Sequence, residues 1–180
     1  MRNALTLAAL VALAPAALAK PWNGIEPGTS KRDEVVKKFG EPSKVVKGDN
    51  GKETLAYLGE KAIKGTTQSQ FKVDGTSGTV ERIDVFPAPV IDKEMVESSY
   101  GAACPTSGPA PKDPCYAKKI TDNFKSYFVY VKLGLAVFFK DDNKTVSSFV
   151  FTPMASVAPK PGGAAPGGAA GGTGTPSSER

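Results

Sequence analysis

Apolar and polar residues alternate most clearly in the stretch Phe71-Lys-Val-Asp-Gly-Thr-Ser-Gly-Thr-Val-Glu-Arg-Ile-Asp-Val-Phe86. Ile83 and Val85 point one way and Arg82 and Asp84 the other, the period of two that marks a half-buried strand. Asp74-Gly75 and Ser77-Gly78 supply the turn residues of a hairpin. The pattern returns as Phe139-Lys-Asp-Asp-Asn-Lys-Thr-Val-Ser-Ser-Phe-Val-Phe151, with a turn two residues shorter. Thr79-Val80 corresponds to Thr145-Val146, Ile83 to Phe149 and Val85 to Phe151.

The echo extends upstream. Ser30 is placed to cap a short helix, with Asp33 three residues on and an apolar stripe of Val35, Val36 and Phe39. Gly40 and Pro42 stop it. Asp92 is placed to cap a second helix carrying Met95, Val96 and Tyr100, followed by Gly101. Strands are predicted at Lys44–Lys47, Glu53–Leu58, Thr66–Val73, Thr79–Phe86, Phe124–Leu133, Leu135–Phe139 and Thr145–Thr152. The chain thus reads as an α+β protein of two tandem helix-plus-antiparallel-sheet units, 22–86 and 90–153. The sheet can run on across the Pro87–Pro89 join.

Neither end belongs to this pattern. Arg2, an uncharged Ala/Leu-rich run from Ala4 and the small residues Ala17-Leu18-Ala19 make residues 1–19 a secretory signal peptide, with the mature chain starting at Lys20. The run is broken by Pro15 and is shorter than the roughly 20 residues a membrane span needs. Residues 154–180 are Pro/Gly/Ala-rich and hold no large apolar side chain after the first few positions. Such a segment cannot offset its own ordering entropy, so a disordered tail is expected.

Composition narrows the function. Of 23 basic residues, only Arg2 lies in the leader, so 22 remain against 18 acidic ones. This mild excess is scattered among acids, as in Lys31-Arg-Asp-Glu34, and does not suit nucleic acid. Cys104 and Cys115 sit in a Pro-rich insert without counterpart in the first unit. In an exported chain they are expected to form a disulfide. Closing that loop contributes about 3 kcal/mol in the chain-entropy model.

The chain has no histidine. That removes His-dependent triads and general bases, and a cysteine nucleophile would lack its usual partner. Ser69-Gln-Phe-Lys72 matches Ser-x-x-Lys, and Thr121-Asp-Asn123 resembles Ser-Asp-Asn. On a strand, however, positions three apart face opposite sides. Asp141-Asp-Asn143 lacks the remaining ligands of a calcium loop and reads as a hairpin turn. Asn143-Lys-Thr145 is a glycosylation sequon by pattern, within the same turn. No catalytic residue, metal ligand or cofactor is assigned. The aromatic set Tyr127, Phe128, Tyr130, Phe138 and Phe139 is the richest patch. One alternate set must face the helices as core. The other, either Phe128 with Tyr130 or Tyr127 with Val129, would lie on an open sheet face suited to protein recognition. Tyr127, Phe128 and Tyr130 are the candidate contact residues.

The residues Ile25-x-Pro-Gly-Thr-Ser-Lys-x-x-x-Val-Val-x-x-Phe-Gly-x-Pro42, then Leu55-x-Tyr57, then Phe71 with its Gly-containing turn and Val80-x-x-Ile83, resemble the SmpA/OmlA (BamE) family. That family is similar in fold to the β-lactamase inhibitor protein, a tandem pair of helix-plus-sheet units. The chain differs from the assembly lipoproteins in having two units and no cysteine after the leader to carry a lipid. The resemblance implies a periplasmic or secreted envelope protein that binds another protein, of outer-membrane assembly type. Peripheral association with the outer membrane is compatible with it. Inhibition of an exported hydrolase such as a β-lactamase is the alternative.

Overall fold

The computed structural model describes residues 19–109 and 111–154. The expected leader, apart from Ala19, and the expected tail, apart from Met154, lie outside the described residues. The fold is α+β. Helix α1 (Arg32–Phe39) precedes strands β1 (Lys44–Lys47), β2 (Glu53–Leu58), β3 (Thr66–Val73) and β4 (Val80–Pro87). Helix α2 (Lys93–Tyr100) precedes β5 (Ala117–Ile120), β6 (Ser126–Tyr130), β7 (Leu135–Phe139) and β8 (Val146–Phe151). All eight strands form one antiparallel sheet in the order β1-β2-β3-β4-β8-β7-β6-β5. The centre is the β4–β8 pair, where Ile83 faces Phe151 and Val85 faces Phe149.

Each helix has only eight residues and would not persist alone in water, so sheet packing must hold it. Val35 from α1 and Val96 from α2 are buried in one cluster with Leu55, Tyr57, Phe71 and Tyr130. Both helices therefore cover the same face. Their ends are tied down alike. The Tyr57 hydroxyl donates to the Gly40 carbonyl at 2.9 Å, and the Tyr130 hydroxyl donates to the Gly101 carbonyl at 2.8 Å. Their starts are also matched: the Val80 N–H donates to Ser30 O and the Val146 N–H to Ile91 O, each at 2.8 Å. Aromatic rings fill the space beneath. Phe71 meets Trp22, Phe39 and Tyr57 at 5.6–5.9 Å between centroids, while Tyr116 stacks on Phe128 at 3.6 Å.

Three expectations need correction. Ser30 does not cap α1. Lys31 occupies that position without a side-chain cap, because the Ser30 hydroxyl is buried and accepts the Glu26 N–H instead. The strand expected over Phe124–Leu133 is only Ser126–Tyr130. Phe124 has φ 61° and ends a turn, Val131–Leu133 form a 3-10 turn, and Gly134 has φ 60°. A side chain at Gly134 would collide with the carbonyl oxygen of Thr152, so the chain needs glycine there. Strand β5 was not expected. Ala-Lys-Lys-Ile shows little alternation, and its pairing with β6 is supplied by the main chain.

Candidate protein-binding face

Strand geometry sends successive side chains to opposite faces. With Leu55, Phe71, Ile83, Phe151, Leu135 and Tyr130 on the helix side, the intervening residues form the other face. Neither α-helix covers it. The Pro-rich insert reaches one end, where Cys104, Pro105, Pro109 and Pro111 enclose a cavity of about 350 Å³ against Ala117 and Val129. Cys104 and Cys115 are disulfide-bonded, with Cα atoms 4.9 Å apart. The Lys132 ammonium steadies the insert by donating to Lys112 O at 3.1 Å and to Pro111 O.

Away from that end the face has two characters. On β3 and β4 it is polar and basic. Lys72 stands directly opposite Arg82, and Gln70 opposite Asp84. Arg82 Nε lies 2.9 and 3.0 Å from the two Asp84 carboxylate oxygens, and its Nη2 donates to Oδ1 as well. Lys72 Nζ is 3.8 Å from the same carboxylate. The Asp84 side chain is only 8% exposed, whereas those of Arg82 and Lys72 are 40% and 42% exposed. The carboxylate is thus sunk in the sheet and holds two cations at its surface. On β6 and β7 the face is aromatic: Tyr127 stacks on Phe138, with centroids 4.9 Å apart and planes 10° from parallel. Between the two regions lie the small buried side chains of Ser148 and Val150.

The structure divides the expected contact trio. Tyr127 is on the helix-free face. Phe128 and Tyr130 are core residues, 3% and 0% exposed, so neither can meet a partner without unpacking the sheet from α2. Alternation allowed both assignments, and only the side taken by the helices decides between them. Arg82, Asp84 and Lys72, which the sequence motifs do not single out, also lie on the helix-free face. The polar positions Gln68, Gln70 and Lys72, alternating with Ser69, Phe71 and Val73, were the signal for them.

Burial has an electrostatic signature on the core side. It pushes the Tyr130 phenol up from its ordinary pKa. Tyr116 is pushed up to about 12 by burial and by its 2.6 Å hydrogen bond to Glu97. Ser69 and Lys72 lie on opposite faces, and Ser69 donates to Thr66 Oγ1 at 3.2 Å. The Asp142 carboxylate accepts from the Lys144 and Thr145 N–H groups and the Thr145 hydroxyl, which hold it down at about 2. Among the described residues, no group of three or more Cys, Asp or Glu residues is placed to hold a metal ion, and no helix is long and apolar enough to cross a membrane.

The two outer strands carry lysines: Lys44 and Lys47 on β1, Lys118 and Lys119 on β5. Lysines on an edge discourage pairing with another strand. Neither edge strand is therefore suited to extending the sheet with a further strand.

Among the described residues, fold and face together define an α+β protein with an eight-stranded antiparallel sheet, two α-helices and a disulfide, which is compatible with an extracytoplasmic location. No protein-family model matches the chain, and no curated protein matches it. Among solved structures it is similar to the crystal structure of a DUF4309 family protein, YjgB, from Bacillus subtilis subsp. subtilis str. 168. The two are 18% identical with a TM-score of 0.46, over 72% of this chain and 82% of that one.

Proposed function

We propose that this chain is a non-enzymatic, exported cell-envelope protein that binds another protein through the helix-free face of its sheet. The observation that carries this reading is the placement of both helices on one side of a continuous eight-stranded sheet. Seven inter-strand spacings of about 4.8 Å and roughly six residues of about 3.3 Å give a face near 34 by 20 Å. That area is close to the ~800 Å² per partner of a standard protein interface. The stacked Tyr127–Phe138 pair offers contact area at low entropy cost.

The scaffold is read as two copies of one SmpA/OmlA (BamE)-like unit, 22–86 and 90–153, in a tandem like that of the β-lactamase inhibitor protein. The paired Tyr57–Gly40 and Tyr130–Gly101 hydrogen bonds and the mirrored strand order support this. Cleavage of a 1–19 leader and an oxidising compartment for the disulfide complete the envelope assignment.

A photo-crosslinking residue at position 127 in intact cells tests it, with position 37 on α1 as control. Capture of one protein from 127 and not from 37 is the expected outcome. Equal capture from both, or none from 127, refutes the sheet-face reading. The captured protein's identity separates an assembly role from inhibition of an exported hydrolase.

A further inference from the structure

The sheet-face reading says where a partner docks, and the chemistry of β3 and β4 says what the partner presents there. We infer that Arg82 and Lys72, held by the buried Asp84, form a seat for a carboxylate, and that the partner is a protein with an acidic side chain at this point. This inference rests on the proposed face and specifies the chemistry of its occupant.

Three observations converge. The first is preorganisation. A free arginine loses rotamer freedom when it binds an anion. In Arg82 the guanidinium is already fixed, because its Nε and Nη2 donate to the Asp84 carboxylate. One edge of the fork is occupied, and the other, which includes Nη1, makes no hydrogen bond among the described residues. With the side chain 40% exposed, that outer edge is available to a second carboxylate in the bidentate geometry that guanidinium favours.

The second is charge balance. At its in-register strand positions the face carries Lys44, Lys72, Arg82 and Lys119 with Asp84, which is already engaged, while Glu81, at the register shift beside Arg82, is paired with Lys52. An incoming carboxylate would meet two cations and one sunken acid. Placing it there neutralises the excess charge, whereas a basic partner would be repelled.

The third distinguishes a protein from an anionic bilayer. Gln68 and Gln70 flank the seat on β3 with directional donors and acceptors, which suit a fixed partner surface. Tyr127 and Phe138 are stacked on one another and both only half-buried, so neither ring stands out alone as a wedge for lipid. Three strand spacings and four residues along the strand separate this pair from the seat, a diagonal of about 20 Å. A folded protein can match a carboxylate and an apolar side chain over that span, as interfaces with separated anchors do.

The test uses the full chain, ¹⁵N-labelled, titrated in parallel with poly-L-glutamate and with phosphatidylglycerol vesicles. The expected result is that poly-L-glutamate shifts the Arg82 Nε–H resonance and the Lys72 and Arg82 amides. Lys72→Ala weakens that binding about fivefold, as loss of one exposed ion pair would. Arg82→Lys, which keeps the charge and loses the fork, weakens it as well and leaves the rest of the spectrum folded. Shifts spread evenly over the lysines of α1 would overturn the seat. So would vesicle binding with Arg82 unmoved by poly-L-glutamate, which would assign the basic face to lipid. If cross-linking at 127 captures a partner while Arg82 stays silent, the seat fails and the sheet-face reading stands. If Arg82 responds but positions 127 and 37 capture alike, the seat stands and the sheet-face reading fails.

Discussion

The half of the sheet formed by β1–β4 and the half formed by β5–β8 use the same anchors beneath their helices and different chemistry on the opposite face. In each, a buried tyrosine hydroxyl satisfies the carbonyl of the glycine that ends the helix. In each, an aspartate in the last hairpin turn accepts a nearby main-chain N–H: Asp74 from Ser77, and Asp142 from Lys144 and Thr145. The helix-free face diverges. The first half shows Gln68, Gln70, Lys72 and the Arg82–Asp84 fork, and the second shows Tyr127, Phe138, Val129 and Ala136. Helix starts differ as well. Asp92 accepts the Met95 N–H at 2.8 Å, while α1 has no side-chain cap. What the halves share lies on the helix side, and what they do not share lies on the opposite face, partly buried at Asp84 and Val129. The difference leaves the helix side uniform and makes the helix-free face the variable one, which is the basis for proposing that face for recognition.

The two faces differ most in what one aromatic from each contributes. Phe71→Ala removes a fully buried ring and is expected to cost about 3–5 kcal/mol in thermal or denaturant unfolding. Phe138→Ala, on the helix-free face, is expected to cost about 1 kcal/mol, near the worth of one stacked pair. It should nonetheless abolish cross-linking from position 127. Equal destabilisation by the two would mean that the face is core.

The tyrosine anchors of the two halves should respond alike. Tyr57→Phe and Tyr130→Phe each leave a glycine carbonyl unpaired and should each cost roughly 1–2 kcal/mol. Matching losses support equivalent roles in the two halves. A large inequality in urea unfolding would show that one anchor is incidental.

The smallest effect at neutral pH belongs to titration. Tyr116 in the folded protein is raised to about 12, against about 10 for an unfolded tyrosine. The fold therefore favours the neutral phenol. Its contribution is complete below pH 10 and is lost as pH climbs through 12. Tyr116→Phe should flatten the fall in melting temperature over that window. Asp142 runs the other way: held at about 2, its contribution is present above pH 4 and lost as pH drops through 2. Asp142→Asn should remove that acid-side slope. No such change is expected from Asn143→Asp in the same turn.

Much of the fold could be read from residue order. Strands β2, β3 and β7 begin and end where apolar pattern and turn residues place them, and β1 where Pro42 and the Gly48–Gly51 turn bound it. Asp92 caps α2 because a free aspartate stood at the right distance from an apolar stripe. The two cysteines pair across the insert. Ser30 misled because a serine before a helix can serve either the helix or the turn that precedes it, and here burial favoured the turn. Strand β6 is shorter than the aromatic run because Phe124 takes a left-handed turn conformation that its side chain does not signal. β5 carries no mark in the sequence, because Ala-Lys-Lys-Ile has no apolar alternation and its pairing with β6 comes from the main chain. The candidate site was half visible. Tyr127 was in view, but Phe128 and Tyr130 belong to the core.

Local order alone determined which segments extend, which coil and where they turn, since these follow from side-chain period, caps and glycines acting over a few residues. It also determined that the ionisable groups lack histidine and lean slightly basic. Only the tertiary structure decided that β4 pairs with β8, that both helices take one side, and that Arg82, Lys72 and Asp84 meet on the other. Alternation divides a strand into two sets of side chains without saying which is inside. Packing against the helices breaks that symmetry, and a buried carboxylate finds its cations only once neighbouring strands are in register.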